Sequence, residues 1–297
     1  MLRIFVILGV IGGLSVLAGH MPGSYQVAGI TWPWDVVRSQ VTTSYPVEAN
    51  GVIQVSDPSG DITIIGGSGS TAEVTVKKSA SNRADLDSMS ARVSNVGSGS
   101  NAGISITTDY PRHCSNCDLS YEIRVPRGAQ IKIDGDSGDV RVTGTDGLID
   151  ISSSSGDVKL VNDSGPVNVD ESSGDVKLTD VTGAVRVKSS SGGIDATGLT
   201  RDVDFDAASG DVVAKFVSFE EVSTVRMRTA SGSITLEVPR SFGARITATT
   251  ESGDLSSNLK LPIHNNDSGA DVAVAVGNGK TAVDLVAASG DITINAH

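Results

Sequence analysis

The chain has 297 residues, 34 of them glycine, only 4% aromatic, with a formal net charge of −12. That charge argues against a nucleic-acid ligand, which wants a basic face, and against simple electrostatic attraction to anionic lipid. A length near 300 would allow two globular domains, but repeat stacks grow without a single core.

Residues 4–18 are apolar with Arg3 ahead of them. This reads as the apolar stretch of an export signal, shorter than the roughly 20 residues a spanning helix needs. Val16-Leu17-Ala18 offers a small-residue cleavage site, and no Cys follows to carry a lipid. Residues 1–19 are therefore a signal peptide or, uncleaved, an N-terminal anchor. That segment is the one membrane contact expected, and the bulk of the chain is exported to periplasm, envelope or medium. Residues 20–46, punctuated by Pro22, Trp32-Pro33-Trp34 and Pro46, read as linker. The two tryptophans are expected to rest on the end of the folded domain or, if the segment stays anchored, at a membrane interface.

A domain spanning 47–297 follows. Gly51-Val52-Ile53-Gln54-Val55 and Gly60-Asp61-Ile62-Thr63-Ile64 lie nine residues apart, each with apolar residues alternating after the glycine. The segment near 65–120 is an irregular insert. Within it Glu73–Lys77 reads as a strand, 80–92 as a short helix with Leu86 and Met89 on one side, and Ile104 and Ile106 resume alternation. Tyr121-Glu122-Ile123-Arg124-Val125 is a strand stopped by Pro126.

From Ala129 the period becomes strict. Gly138, Gly147, Gly156, Gly165, Gly174, Gly183, Gly192 and Gly210 fall on a nine-residue spacing, with Arg201 in one slot. Apolar residues stand two and four positions on, as in Val158/Leu160 and Val176/Leu178. Every second slot carries Ser-Gly-Asp or a variant, so the true repeat is eighteen residues in two unlike halves. A turn residue followed by apolar-x-apolar is one short strand and one corner. Nine residues leave no room for a helix, and two halves close one flattened coil. The expected fold is all-β: a right-handed parallel β-solenoid, a single-stranded β-helix of about 18 residues per coil, with roughly nine coils' worth of chain after Ala129. Gly138-Asp139, Gly156-Asp157, Gly174-Asp175 and Gly210-Asp211 are its structural corners, with Asp139, Asp157 and Asp175 stacked beside Arg141, Lys159 and Lys177 in charge-compensating columns. After Phe216 the spacing loosens around Gly232, Gly253 and Gly290. Longer corners at 216–224 and 257–270 are expected there, and Ile292-Thr293-Ile294 is a candidate end cap.

Chemistry is sparse. Cys114-Ser115-Asn116-Cys117 follows Pro111 and precedes a strand, unlike a redox motif at a helix N-terminus. His113, Cys114 and Cys117 supply three ligands where a structural zinc site wants four. Cys114 and Cys117 are therefore read as a disulfide in an exported protein. The four histidines, His20, His113, His264 and His297, lie in linker, loop or terminal positions, and Ser-Gly-Asp lacks the setting of a nucleophile elbow. Calcium-binding repeats carry more glycines per unit and no lysine column alongside. No catalytic residue, metal or cofactor is expected.

The Ser-Gly-Asp-[Ile/Val]-x-[Val/Leu] repeats, together with Tyr121-Glu-Ile-Arg-Val-Pro-Arg-Gly-Ala129 ahead of them, resemble a bacterial "putative adhesin" domain found in exported proteins and related to head-type adhesin β-helices. The resemblance covers about 47–297. It implies a non-enzymatic envelope or surface module that contacts a surface protein or glycan. The alternative is a carbohydrate-binding or carbohydrate-cleaving β-helix, disfavoured by the shortage of aromatics.

Overall fold

The computed structural model describes residues 36–111, 114, 116–266 and 269–297. The segment 1–19 read as an export signal, Trp32, Trp34 and His113 lie outside the described residues.

Two long sheets face each other across one core. The first part of the chain gives strands β1 (Val37–Pro46), β2 (Val52–Asp57), β3 (Ile62–Gly67) and β4 (Thr71–Ala80), helix α1 (Arg83–Ser88), then β5 (Ser90–Val96), β6 (Gly103–Asp109) and β7 (Asp118–Pro126). The regular part gives β8 (Gln130–Gly135), β9 (Val140–Thr143), β10 (Ile149–Ser153), β11 (Val158–Val161), β12 (Val167–Ser173), β13 (Val176–Thr179), β14 (Val185–Ser191), β15 (Ile194–Leu199), β16 (Val203–Ser209) and β17 (Val212–Phe216). Then come β18 (Thr224–Ser231), β19 (Ile234–Val238), β20 (Ala244–Ser252), β21 (Leu255–Ser257), β22 (His264–Asn266), β23 (Gly269–Val276), β24 (Thr281–Ser289) and β25 (Ile292–Ala296).

Even-numbered strands from β8 to β18 stack in parallel in one sheet, and odd-numbered strands from β9 to β19 in the other. In the regular part, register joins residues eighteen apart, Val158 to Val176 and Val167 to Val185. The alternation read from sequence sends Val158, Leu160, Val176 and Leu178 inward, all buried, while Lys177 is exposed and Lys159 half-exposed. Burying each such Val or Leu contributes about 1.5–3 kcal/mol, but only because neighbouring strands cover it. The register slips between Thr197 and Leu199, where Gly198 has φ +78°. The following strand is one residue shorter at this point, while the positive φ itself repeats at Gly144, Asn162 and Asp180 of the preceding coils.

Several expectations are corrected. The stretch read as linker to residue 46 contains β1, which pairs antiparallel along the whole of β4 and packs Val37 and Tyr45 against the core. The insert near 65–120 is largely ordered. Its β6 and β7 pair in parallel with β2 and β3 and so extend the stack, while β5 and β4–β1 close that end with antiparallel strands. The helix is capped by Asn82, whose side chain accepts from Asp85 N at 2.9 Å, and it buries Leu86 beside Met89. After Ala129 there are eight stacked strand pairs, because 264–276 forms the antiparallel β22–β23 hairpin instead of a coil. Finally, β25 is no end cap: it lies between β19 and β21, and β24 between β18 and β20.

Candidate interaction surface

Outward residues of the β8–β18 sheet form two charged columns. One runs Lys132, Asp150, Asn168, Arg186, Asp204, Arg226 and on to Asp284 of β24. The other runs Asp134, Ser152, Asp170, Lys188, Asp206 and Arg228. Strand stacking sets the spacing of these side chains at about 4.8 Å. Toward β18 opposite charges lock together: Arg186–Asp204 at 2.8 Å, Arg228–Asp284 at 3.1 Å, and Arg226 reaching both Asp204 and Asp284 at 3.8 Å. Exposed pairs of this kind contribute only about 0–1 kcal/mol each.

Toward β10 the pairing stops. Asp150, Ser152, Asn168, Asp170, Arg186 and Lys188 line a shallow hollow of ≈ 420 Å³. Asn168 and Arg186 also line a neighbouring hollow of ≈ 260 Å³ that continues to Arg226. Among the described residues, Asp150, Asp170 and Lys188 have no ion-pair or side-chain hydrogen-bond partner. Both charge signs thus stand available on one flat face, which suits broad, repeated polar contacts better than enclosure of a small substrate.

The predicted corners occupy the opposite sheet's edge. Gly138, Gly156, Gly174 and Gly210 have φ of +114°, +108°, +147° and +129°. Their aspartates do something the sequence reading missed. Asp139 Oδ1 accepts from Asp157 N at 2.9 Å, Asp157 Oδ1 from Asp175 N at 3.0 Å, Asp175 Oδ1 from Gly193 N at 2.8 Å, and Asp211 Oδ1 from Ser233 N at 2.8 Å. Each carboxylate satisfies a backbone donor of the next coil that the glycine corner leaves outside the strand ladder. The expected compensation by the cation column is not the main contact: Lys177 pairs with Asp195 at 3.6 Å, and among the described residues Arg141 and Lys159 have no partner.

Cys114 and Cys117 are joined as a disulfide, Cα atoms 5.7 Å apart, in the connection from β6 to β7. Asn116 Nδ2 donates to Ser81 Oγ at 3.2 Å, tying this connection to the start of α1. Asp85 of α1 lies within 4.8 Å of both sulfurs. The disulfide withholds the thiolates a soft metal would need.

Three buried carboxyl groups went unread in the sequence. Asp163 is fully buried and satisfied, accepting from Thr145 N (2.8 Å), Thr145 Oγ1 (2.9 Å) and Val161 N (3.0 Å). Glu171, also fully buried, accepts from Ser173 N at 3.0 Å, with the Ser153 hydroxyl and Ser172 backbone beside it. Burial holds both groups above the usual carboxylate range. Asp57 is 1% exposed and burial pushes its pKa up to about 7. Ser59 N donates to its Oδ1 at 3.2 Å, and the Thr108 hydroxyl lies beside the carboxyl. Around it, Tyr121 and Thr108 share a hydrogen bond of 2.6 Å, Leu119 N donates to the Tyr110 hydroxyl at 3.1 Å, and that hydroxyl donates to Ser59 O. The signal available was parity: Glu171 follows Val167 and Val169 on the inward-facing positions of one strand.

A family model described as Toastrack DUF4097 matches residues 50–295. No curated protein matches the chain. Among solved structures, a "putative cell adhesion protein" from Clostridium sporogenes ATCC 15579 is 13% identical, covers 86% of this chain and 99% of its own, and has a TM-score of 0.36. A "putative adhesin" from Bacteroides fragilis NCTC 9343 is 15% identical, with 87% and 97% covered and a TM-score of 0.44. One from Parabacteroides distasonis ATCC 8503 is 11% identical, with 86% and 96% covered and a TM-score of 0.28. Likeness at that level leaves this chain's role to its own residues.

Proposed function

The chain belongs to the Toastrack DUF4097 family, and on that premise we propose that it is a non-enzymatic, exported module of the cell envelope or surface, whose β10–β14 outer face is the contact site. The observation that carries this reading is the mixed-charge hollow in which Asp150, Asp170 and Lys188 stand unpaired on a flat sheet. The partner is an envelope or surface protein or glycan presenting repeated polar groups. The scaffold is a right-handed solenoid of eighteen-residue coils, the hand that parallel crossovers favour. Export rests on the apolar run from Ile4 to Ala18, and the Cys114–Cys117 disulfide serves as a structural clip suited to an oxidising compartment.

The non-enzymatic part rests on the corner aspartates being taken up by backbone donors and on the exposed setting of His264. The corner aspartates hold backbone donors, and His264 stands on an exposed strand facing Asp271 at 3.9 Å. Purified protein is incubated with immobilised polysaccharides, peptidoglycan and solubilised envelope protein, with retention and new reducing ends both measured. Retention without turnover is the expected result. Turnover that survives repurification and is abolished by a single carboxylate substitution would overturn the reading.

A further inference from the structure

Coils β18/β19 and β20/β21 follow one another in sequence but do not touch as neighbours. Residues 281–296, as β24 and β25, lie between them and pair in parallel on both sides. The pairing on the two sides is chemically alike. Gly232 N donates to Ser289 O at 2.9 Å, and Gly290 N donates to Ser252 O at 2.8 Å. Ile234 N donates to Asp291 O at 2.8 Å, and Ile292 N to Asp254 O at 2.9 Å. Both neighbours also hold the inserted coil by side chains or flanking backbone. Thr281 Oγ1 donates to Val222 O at 2.7 Å, Thr250 Oγ1 donates to Gly290 O at 2.8 Å, and the Asn258 amide both accepts from Ala296 N and donates to Ala296 O, each at 2.8 Å.

The slot thus recognises a coil, not its connection. Ser252-Gly253-Asp254-Leu255 and Ser289-Gly290-Asp291-Ile292 carry the same corner signature, but β24 adds Asp284, which pairs with Arg226 and Arg228 of β18 where β20 carries Thr247. The slot is thus matched to residues 281–296. Their tether is short: residues 277–280 cross the start of β20, with Gly277 and Gly279 at φ +61° and +60°, and Gly243 so close that a Cβ there would lie 2.2 Å from Asn278 Oδ1. Short, tightly packed hinges favour exchange of an identical element between copies.

We propose that the slot between β18/β19 and β20/β21 accepts residues 281–296 of a second copy, giving a coil-swapped dimer. Swapping places two contact faces in one particle, and so raises avidity without a new contact. It rests on the stack's order alone and stands whatever the faces bind.

The test uses two full-length chains with different tags, one Ser231→Cys and one Ser289→Cys, co-expressed and treated with a short thiol crosslinker. These positions are register partners. The expected result is a covalent heterodimer, several-fold more abundant than from the non-neighbouring pair Ser191→Cys with Ser289→Cys. Deleting Asn278 and Gly279 should raise its yield. The proposal is overturned if the same-chain double variant crosslinks internally while the mixed chains stay monomeric with either hinge. Equal crosslinking of the non-neighbouring pair overturns it as well.

Discussion

Gly174→Val is expected to cost on the order of 4 kcal/mol or more, because backbone strain and overpacking act together. Gly174 has φ +147°, and a Cβ there would lie 2.1 Å from Gly156 O and 2.7 Å from Gly156 C. Both atoms are backbone, so no side chain can swing aside. The whole corner column repeats this contact: a Cβ on Gly156 would lie 2.3 Å from Gly138 O, and on Gly210 2.2 Å from Gly192 O. Relief at one coil would therefore disturb the ladder that Asp157 and Asp175 hold together. Gly67→Ala is the matched control, since its nearest non-neighbour atom would be 3.8 Å away, and it should leave thermal unfolding within experimental scatter. Melting of the two variants side by side checks the claim. An unchanged midpoint for Gly174→Val would contradict the stacked corner.

The second large effect is a pH dependence. The carboxyl of Asp57 is raised from 3.8 to about 7, chiefly by burial, with the nearby Asp118 charge adding to it. For an acid raised in the folded state, the stabilising contribution is full below the unfolded pKa and is lost as pH climbs through the folded one. Stability should therefore fall between about pH 4 and about pH 7. Asp118, Asp163 and Glu171 are shifted in the same direction. Asp146 and Glu122, held low by Arg127 and Lys77, act oppositely but are exposed or half-exposed and weak. Asp57→Asn keeps an oxygen for Ser59 N and removes the charge. It should leave stability near pH 4 little changed and gain up to about 4 kcal/mol above pH 7. Denaturant unfolding across pH reads this directly. Parallel curves for wild type and variant would show that Asp57 is ionised without cost.

The contrast between corners and caps explains what could be read from sequence. Gly156, Gly174 and their apolar partners repeat because every coil sits on an equivalent coil, so local pattern and tertiary contact coincide. The order of coils at either end is different. Ser59-Gly60, Ser252-Gly253 and Ser289-Gly290 all begin equivalent strands, and nothing local states that β2/β3 lies between β6/β7 and β8/β9, or that β24/β25 lies between two earlier coils. That order depends on which segments between them form antiparallel edges, and β1 and β23 carry no nine-residue period. The contact face was half legible. Parity sends Lys188 and Asp170 outward, but only the register shows that Arg186 is taken by Asp204 while Lys188 is not. The aspartate ladder was hidden for another reason: its donors are backbone groups, which no side-chain pattern reports.

The most direct measurement compares retention of wild type, Arg186→Glu/Lys188→Glu and Arg141→Glu/Lys159→Glu on immobilised peptidoglycan, polysaccharides and solubilised envelope protein. All three proteins should stay folded, with Arg186→Glu/Lys188→Glu melting somewhat lower because it gives up the exposed Arg186–Asp204 pair and faces Asp170 and Asp206, a cost of about 1 kcal/mol per contact or less. The account predicts that wild type is retained on one of these supports and that reversal at Arg186 and Lys188 weakens retention about tenfold or more. Reversal on the opposite face at Arg141 and Lys159 should leave retention unchanged. Loss through the Arg141/Lys159 face instead, equal retention of all three, or no retention of wild type on any support would contradict it.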